Sequence, residues 1–157
     1  MHPAQRQTTV RHYWIAWAAA CWALVFAGFH VAWAAGWYIG LDPVAAAEAF
    51  AKPSMLAYDL VVVAMCILAA PVVLALAMPW GQRVPQRLLG TLAWTGTGLL
   101  VLRAVASLTQ AVYLLVAGRF SLHQIGGWEP WFYLGATLFG INLWLHWRPL
   151  AQRAKDR

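Results

Sequence analysis

The chain has 157 residues, of which 62% are hydrophobic and 10% are charged, and its formal net charge is +6. Soluble domains carry closer to a quarter charged residues, so this composition excludes an ordinary soluble domain and indicates a membrane protein. The basic residues are dispersed at the ends of apolar segments, which argues against a nucleic-acid partner and favours anionic lipid headgroups.

Four apolar segments are long enough to cross a membrane as helices, since about 20 residues span roughly 30 Å of hydrocarbon. In chain order, the predicted spans cover residues 13–38, 55–78, 88–116 and 131–147. Between the first two, the alanine-rich stretch VAAAEAFA predicts a short helix at the outer surface. The fold class predicted is therefore an all-α membrane protein, a four-transmembrane-helix bundle forming one domain over residues 1–157.

The distribution of lysine and arginine predicts the orientation of this bundle. The N-terminal arm, the second loop and the tail hold eight basic residues, whereas the first and third loops hold Lys52 and Arg119 alone. Cytoplasmic loops carry the excess of basic residues in membrane proteins. Both termini are therefore predicted to lie in the cytoplasm, in a multi-pass protein of the cytoplasmic membrane.

Polar residues inside the spans predict a pocket, because each is costly in lipid and usually faces the bundle interior. In the first span, steps of four, three and four residues predict one helical stripe of Phe26, His30, Trp33 and Trp37. The other candidates fall in the outer half of the bundle: Tyr58, Asp59, Arg103, Gln110, Tyr113, Trp128 and Glu129. Together they predict a polar pocket with aromatic walls that opens toward the outer leaflet or the periplasm.

Arg103 needs a partner, because an arginine near the bilayer centre costs about 2.5–3.5 kcal/mol on insertion scales. Asp59 or Glu129 can supply a bidentate carboxylate, and the sequence leaves the choice open. The pair is either an interhelical clasp or part of a site. A buried ion pair is weak evidence for stability, which favours the functional interpretation.

His30 has three interpretations: a hydrogen-bonded core residue, a proton-transfer group, or a ligand of metal or haem. Transmembrane haem needs two axial ligands at matched depth, and no second histidine lies in mid-membrane. Cys21 and Cys66 lie inside apolar segments without ligand spacing and are interpreted as small buried hydrophobes. The sequence therefore predicts no metal site and no cofactor.

Three stretches resemble a family of small bacterial membrane proteins with four helices, known only as a domain of unknown function. They are ALVFAGFHVAWAAGW, LLVLRAVASL and WEPWFYLGATLFG. The resemblance implies a location in the bacterial inner membrane. The family-type positions that it implies are His30, Trp33, Arg103, Glu129, Pro130 and Gly135. This chain departs from the pattern at Trp37, where the family has a second glycine.

Two functions fit these features. The first is an intramembrane enzyme that isomerises or cyclises a lipid or isoprenoid by acid catalysis, with Asp59, Glu129, His30 and Arg103 as catalytic candidates. Indole faces would stabilise a carbocation. The residues predicted to bind substrate are Trp33, Trp37, Tyr58, Gln110, Tyr113 and Trp128. The second is a non-catalytic accessory subunit of a larger membrane complex, or a small-molecule carrier. The oligomeric state stays open, a homo-oligomer included.

Overall fold

The computed structural model describes residues 3–118 and 129–155. In this part of the chain there is no strand, and five α-helices are present: α1 (Pro3–Ala34), α2 (Pro43–Phe50), α3 (Pro53–Ala77), α4 (Gln86–Val116) and α5 (Glu129–Lys155). A short 3-10 helix, Pro79–Arg83, links α3 to α4. By length and composition, α3, α4 and the part of α1 from Tyr13 onward can each cross a membrane. The protein is thus all-helical, with three long apolar candidate spans.

The long helices cover the predicted segments to within one residue except at the end of the first, and α1 and α5 extend beyond their segments to Pro3 and Lys155. Helix α1 ends at Ala34, because Gly36 adopts a φ of 88° that breaks the helix. The predicted segment ran to residue 38, so this boundary was wrong by four residues. The predicted short helix is confirmed as α2, where Pro43 occupies the first turn and Asp42 caps the helix by accepting from the Ala45 amide at 2.8 Å.

Small residues bring α1 close to α3. Ala16, Ala19, Ala23 and Ala27 recur at steps of three and four residues on α1, and all four are buried. Such spacing lets two helix backbones approach closely in a membrane protein. Helices α1 and α4 each pack against both α3 and α5, which leaves an aromatic core between the four long helices.

Aromatic rings fill the middle of this core. Trp22 of α1 stacks on Phe26 with 5.3 Å between ring centroids, and on Trp131 of α5 at 6.0 Å. Phe139 meets Trp22 edge-on at 5.9 Å. The Trp22 indole also donates a hydrogen bond to the Trp131 carbonyl at 3.1 Å. This cluster fixes α1 against α5 just below the residues that form the candidate site.

Candidate functional site

A buried histidine–carboxylate pair joins α1 to α3. His30 Nδ1 lies 2.6 Å from Asp59 Oδ1. Asp59 has no exposed surface, and His30 is 8% exposed. The imidazole is held from both sides by aromatic edges, since its centroid lies 4.6 Å from that of Phe26 and 4.7 Å from that of Trp33. The position and orientation of His30 are therefore fixed by packing and by the carboxylate.

The carboxylate also decides which ring nitrogen of His30 carries the hydrogen. An ionised carboxylate only accepts, so the hydrogen of the contact between Nδ1 and Oδ1 lies on Nδ1. In the described part of the chain, Nε2 is buried and makes no hydrogen bond. Buried polar atoms normally have partners. A hydrogen-bonding atom of His30 is thus left without a partner inside the fold.

Arg103 pairs with Glu129 of α5, which answers the question that the sequence left open. The Nη2–Oε1 distance is 3.0 Å and the Nη1–Oε2 distance is 3.4 Å, so the contact is bidentate. Nη1 also donates to Ser107 one turn along α4, and the guanidinium lies 4.5 Å from the centroid of the Phe132 ring. Asp59 is engaged by His30 instead.

A cavity of about 300 Å³ lies between the long helices, and both polar groups contribute to its walls. Its volume is at the lower end of the range for small-molecule sites. His30 from α1 and Arg103 from α4 line it, and Tyr58, Met65 and Leu99 form part of its rim. These three rim residues are exposed, so the cavity opens to the surface between α3 and α4.

The structure brings some predicted site residues to the cavity and leaves others away from it. His30, Arg103 and Tyr58 line the cavity. Asp59 and Glu129 hold His30 and Arg103 in place. His30 and Arg103 are therefore each paired with one carboxylate, an arrangement that the sequence did not predict.

Trp33 contributes indirectly, and Trp37 departs from its predicted place. Trp33 packs against His30, and its indole donates to the Ile39 carbonyl at 3.0 Å. Trp37 follows the end of α1, so it does not continue the stripe of His30 and Trp33, and its side chain is 71% exposed. The prediction that Trp37 lies on that stripe was wrong, because Gly36 turns the chain away.

The outer part of α4 carries two further predicted residues away from the cavity. At a rise of about 1.5 Å per residue, Gln110 lies roughly 10 Å and Tyr113 roughly 15 Å along α4 from Arg103. Both are exposed, and neither lines the cavity. The placement predicted for them in the pocket is therefore not found. Trp128 lies outside the described residues.

Sequence reasoning missed three aromatic walls of the cavity: Trp22, Phe132 and Phe139. A signal existed for the first. Trp22, Phe26 and His30 are spaced four residues apart, so extending the stripe one turn inward predicts Trp22. Nothing comparable marks Phe132 and Phe139, because the whole of α5 around them is apolar or aromatic.

The arrangement suits proton transfer on a bound molecule. Nε2 of His30 is the free end of an Asp–His pair, the geometry that orients histidine as a general base or acid. Guanidinium has five N–H groups, so the contacts of Arg103 with Glu129 and Ser107 leave donors for a ligand oxygen. Among the described residues, no group of three or more His, Cys, Asp or Glu side chains could hold a metal ion.

Fold and site together define a class of helical proteins with membrane-spanning segments. In this class, a cavity with aromatic walls is lined by one member of each of two polar pairs. The chain belongs to the family described as "Protein of unknown function (DUF3995)", whose model matches residues 23–139. This confirms the resemblance seen in the sequence, and the matched range contains His30, Asp59, Arg103 and Glu129. No curated protein and no solved structure matched the chain.

Proposed function

We propose that this protein binds a lipid or isoprenoid in the cavity and isomerises or cyclises it by proton transfer at His30. The observation that carries the proposal is a cavity with aromatic walls that is lined by Arg103 and by a histidine held by a fully buried aspartate. Titratable and charged groups that line a cavity in an apolar protein point to a functional role.

The roles of the four charged candidates follow from their positions. His30 exchanges the proton with the substrate, because it is the member of the pair that lines the cavity. Asp59 is a positioning residue, since it touches His30 and does not line the cavity. Arg103 binds a polar group of the substrate, and Glu129 positions Arg103. The proton-transfer group of this proposal is therefore His30.

The proposal includes four membrane crossings with both termini in the cytoplasm of a bacterial inner membrane. Helix α5 is more polar than the other long helices, yet three of its polar side chains meet a partner or lie inside the bundle. Glu129 pairs with Arg103, His146 Nδ1 lies 2.9 Å from the Leu76 carbonyl oxygen, and Asn142 is fully buried. These contacts support a fourth crossing, because they keep the three polar groups away from lipid.

Native mass spectrometry of the protein in lipid nanodiscs tests this proposal, with wild type beside Arg103→Ala and the control Arg87→Ala. Arg87 is exposed near the start of α4 and does not line the cavity. We expect wild type and Arg87→Ala to retain a discrete lipid or isoprenoid mass that folded Arg103→Ala loses. If wild type carries no such molecule and Arg103→Ala merely unfolds, Arg103 and Glu129 are a clasp and the proposal fails.

The surface of α4 supports a second candidate function, that of an accessory subunit or carrier. Only 6% of the most apolar part of α4 is buried, and Trp94, Leu102 and Val105 are among its exposed side chains. Lipid or the helices of a partner can cover such a face. The same mass spectra distinguish the candidates, since a retained protein subunit in place of a small molecule supports the second.

A further inference from the structure

The cavity is elongated along the helices. Its walls extend from Tyr58 to Ala69 on α3 and from Arg103 to Gly96 on α4. At a rise of about 1.5 Å per residue, these stretches are roughly 16 Å and roughly 10 Å long. A molecule that fills the cavity therefore lies along the axes of these two helices.

Among the described residues that line the cavity, the charged and hydroxyl groups lie at one end. Arg103 and Tyr58 provide them, and Tyr58 precedes the aspartate that contacts His30. Phe132 connects the two sides of this polar end, since its ring centroid lies 4.5 Å from the Arg103 guanidinium and 5.3 Å from the centroid of Phe26. Guanidinium nitrogens only donate hydrogen bonds. The polar end therefore suits a group that accepts them.

The other end of the cavity is apolar and closed. Ala69 of α3, Gly96 of α4 and Phe139 of α5 line this apolar end. The next turn of each helix holds a buried core residue: Val73, Ala93 and Leu143. These core residues leave no continuation for a chain that reaches Ala69 and Gly96. The cavity therefore limits the length of an apolar chain bound in it.

We propose that the cavity binds an amphiphile with one apolar chain, whose polar group lies at Arg103, and that Gly96 sets the longest chain accepted; this rests on the proposed function of the cavity. The volume of about 300 Å³ suits one chain rather than the two of a phospholipid. The exposed rim of Tyr58, Met65 and Leu99 lets the molecule enter from the lipid between α3 and α4.

Gly96 and Gly98 form a matched pair for testing this limit. At neither position does a neighbouring part of the protein lie within 4 Å of an added Cβ, so both accept a side chain without a clash. They lie about 200° apart around α4, because the helix has 3.6 residues per turn. Gly96 lines the cavity, whereas Gly98 is exposed and does not. Gly96→Leu should therefore fill the apolar end, and Gly98→Leu should leave it open.

Unbranched primary alcohols from hexanol to hexadecanol are the probes, with the protein in lipid nanodiscs and retained alcohol measured by native mass spectrometry. We expect wild type and Gly98→Leu to retain alcohols up to the same chain length. One methylene too many in an apolar pocket changes binding about tenfold or more. Gly96→Leu should therefore retain the longest alcohol held by wild type at least ~10-fold less. Gly96→Ala adds one methyl group and should give an intermediate limit.

Three results would overturn this inference and leave the proposed function standing. They are equal retention of all alcohols by wild type, equal effects of Gly96→Leu and Gly98→Leu, and retention of a phospholipid with two chains in place of any alcohol. If wild type retains no lipophilic molecule at all, the inference and the proposed function both fail.

Discussion

At the scale of single residues, the pair of His30 and Asp59 should be stable only as a pair. Replacing Asp59 by Leu leaves both nitrogens of a buried imidazole without partners. Leaving a buried polar group without its hydrogen-bond partner costs about 1–3 kcal/mol, whereas apolar replacement of both partners can be nearly neutral. We expect Asp59→Leu to lower the free energy of unfolding by about that amount, and His30→Phe with Asp59→Leu to recover most of it.

Denaturant unfolding in detergent micelles, followed by tryptophan fluorescence, measures these differences. Glu48→Ala is the control, because Glu48 is exposed on α2, and it should change the unfolding free energy little. Additive effects of the two substitutions would show that His30 and Asp59 do not interact, which contradicts the geometry.

Gly135 is needed where α5 meets the indole of Trp22. A Cβ at Gly135 would clash with Cζ2 of Trp22, a residue that also lines the cavity. Gly135→Ala should therefore displace Trp22, lower the unfolding free energy by about 1–3 kcal/mol and shift the tryptophan emission.

Gly140 on the same helix has nothing within 4 Å of its added Cβ and provides a matched control. Gly140→Ala should raise the unfolding free energy by up to about 1 kcal/mol, since alanine favours the helix. Equal effects at the two positions would mean that contact with Trp22 is not what requires glycine at 135.

The sequence singled out the four residues that form the two polar pairs, but it did not predict how they pair. His30, Asp59, Arg103 and Glu129 stand out because charged or titratable groups are rare in apolar segments. Their pairing depends on the rotation of each helix about its axis. Asp59 faces α1 and Glu129 faces α4, and spacing along the chain carries no information on that choice.

At the scale of helices, the length and apolarity of each segment predicted where the helices lie in the chain. They did not predict which side of each helix faces the bundle. Helix α3 is apolar on all sides, so hydrophobic periodicity does not mark the side that faces the bundle. In α1 the signal lies in residue size, since Ala16, Ala19, Ala23 and Ala27 mark the buried side. The end of α1 was missed because Gly36 stops the helix inside a sequence that continues to be apolar and aromatic.

Helix α2 should depend on its cap without affecting the bundle. Asp42→Ala removes the oxygen that accepts from the Ala45 amide at 2.8 Å, and loss of such a cap costs about 1 kcal/mol. We expect faster hydrogen exchange at the α2 amides, measured by mass spectrometry, and an unchanged melting temperature of the protein. Asp42→Ser retains a capping oxygen and should exchange like wild type. A global loss of protection in Asp42→Ala would show instead that α2 supports the long helices.

At the scale of the whole molecule, the protein exposes an apolar surface and concentrates its polar contacts inside. Leu68, Leu102 and Val116 are among many large apolar side chains on the outside. The buried polar residues include His30, Asp59 and Asn142. This distribution is the inverse of that in soluble proteins and places the bundle in lipid. The number of membrane crossings then depends on whether α5 also crosses.

Accessibility of single cysteines decides between three and four crossings. In a background with Cys21→Ala and Cys66→Ala, the reporters are Glu48→Cys, Gln82→Cys and Lys155→Cys, labelled in bacterial spheroplasts with a maleimide that does not cross membranes. We expect Glu48→Cys to label in intact spheroplasts and the other two only after permeabilisation. The reason is the excess of basic residues beside Gln82 and around Lys155, which favours the cytoplasm. Labelling of Lys155→Cys in intact spheroplasts would show that the end of α5 lies outside the cytoplasm, which contradicts a four-span bundle. Labelling of Gln82→Cys in intact spheroplasts would show that the orientation is the opposite of the predicted one.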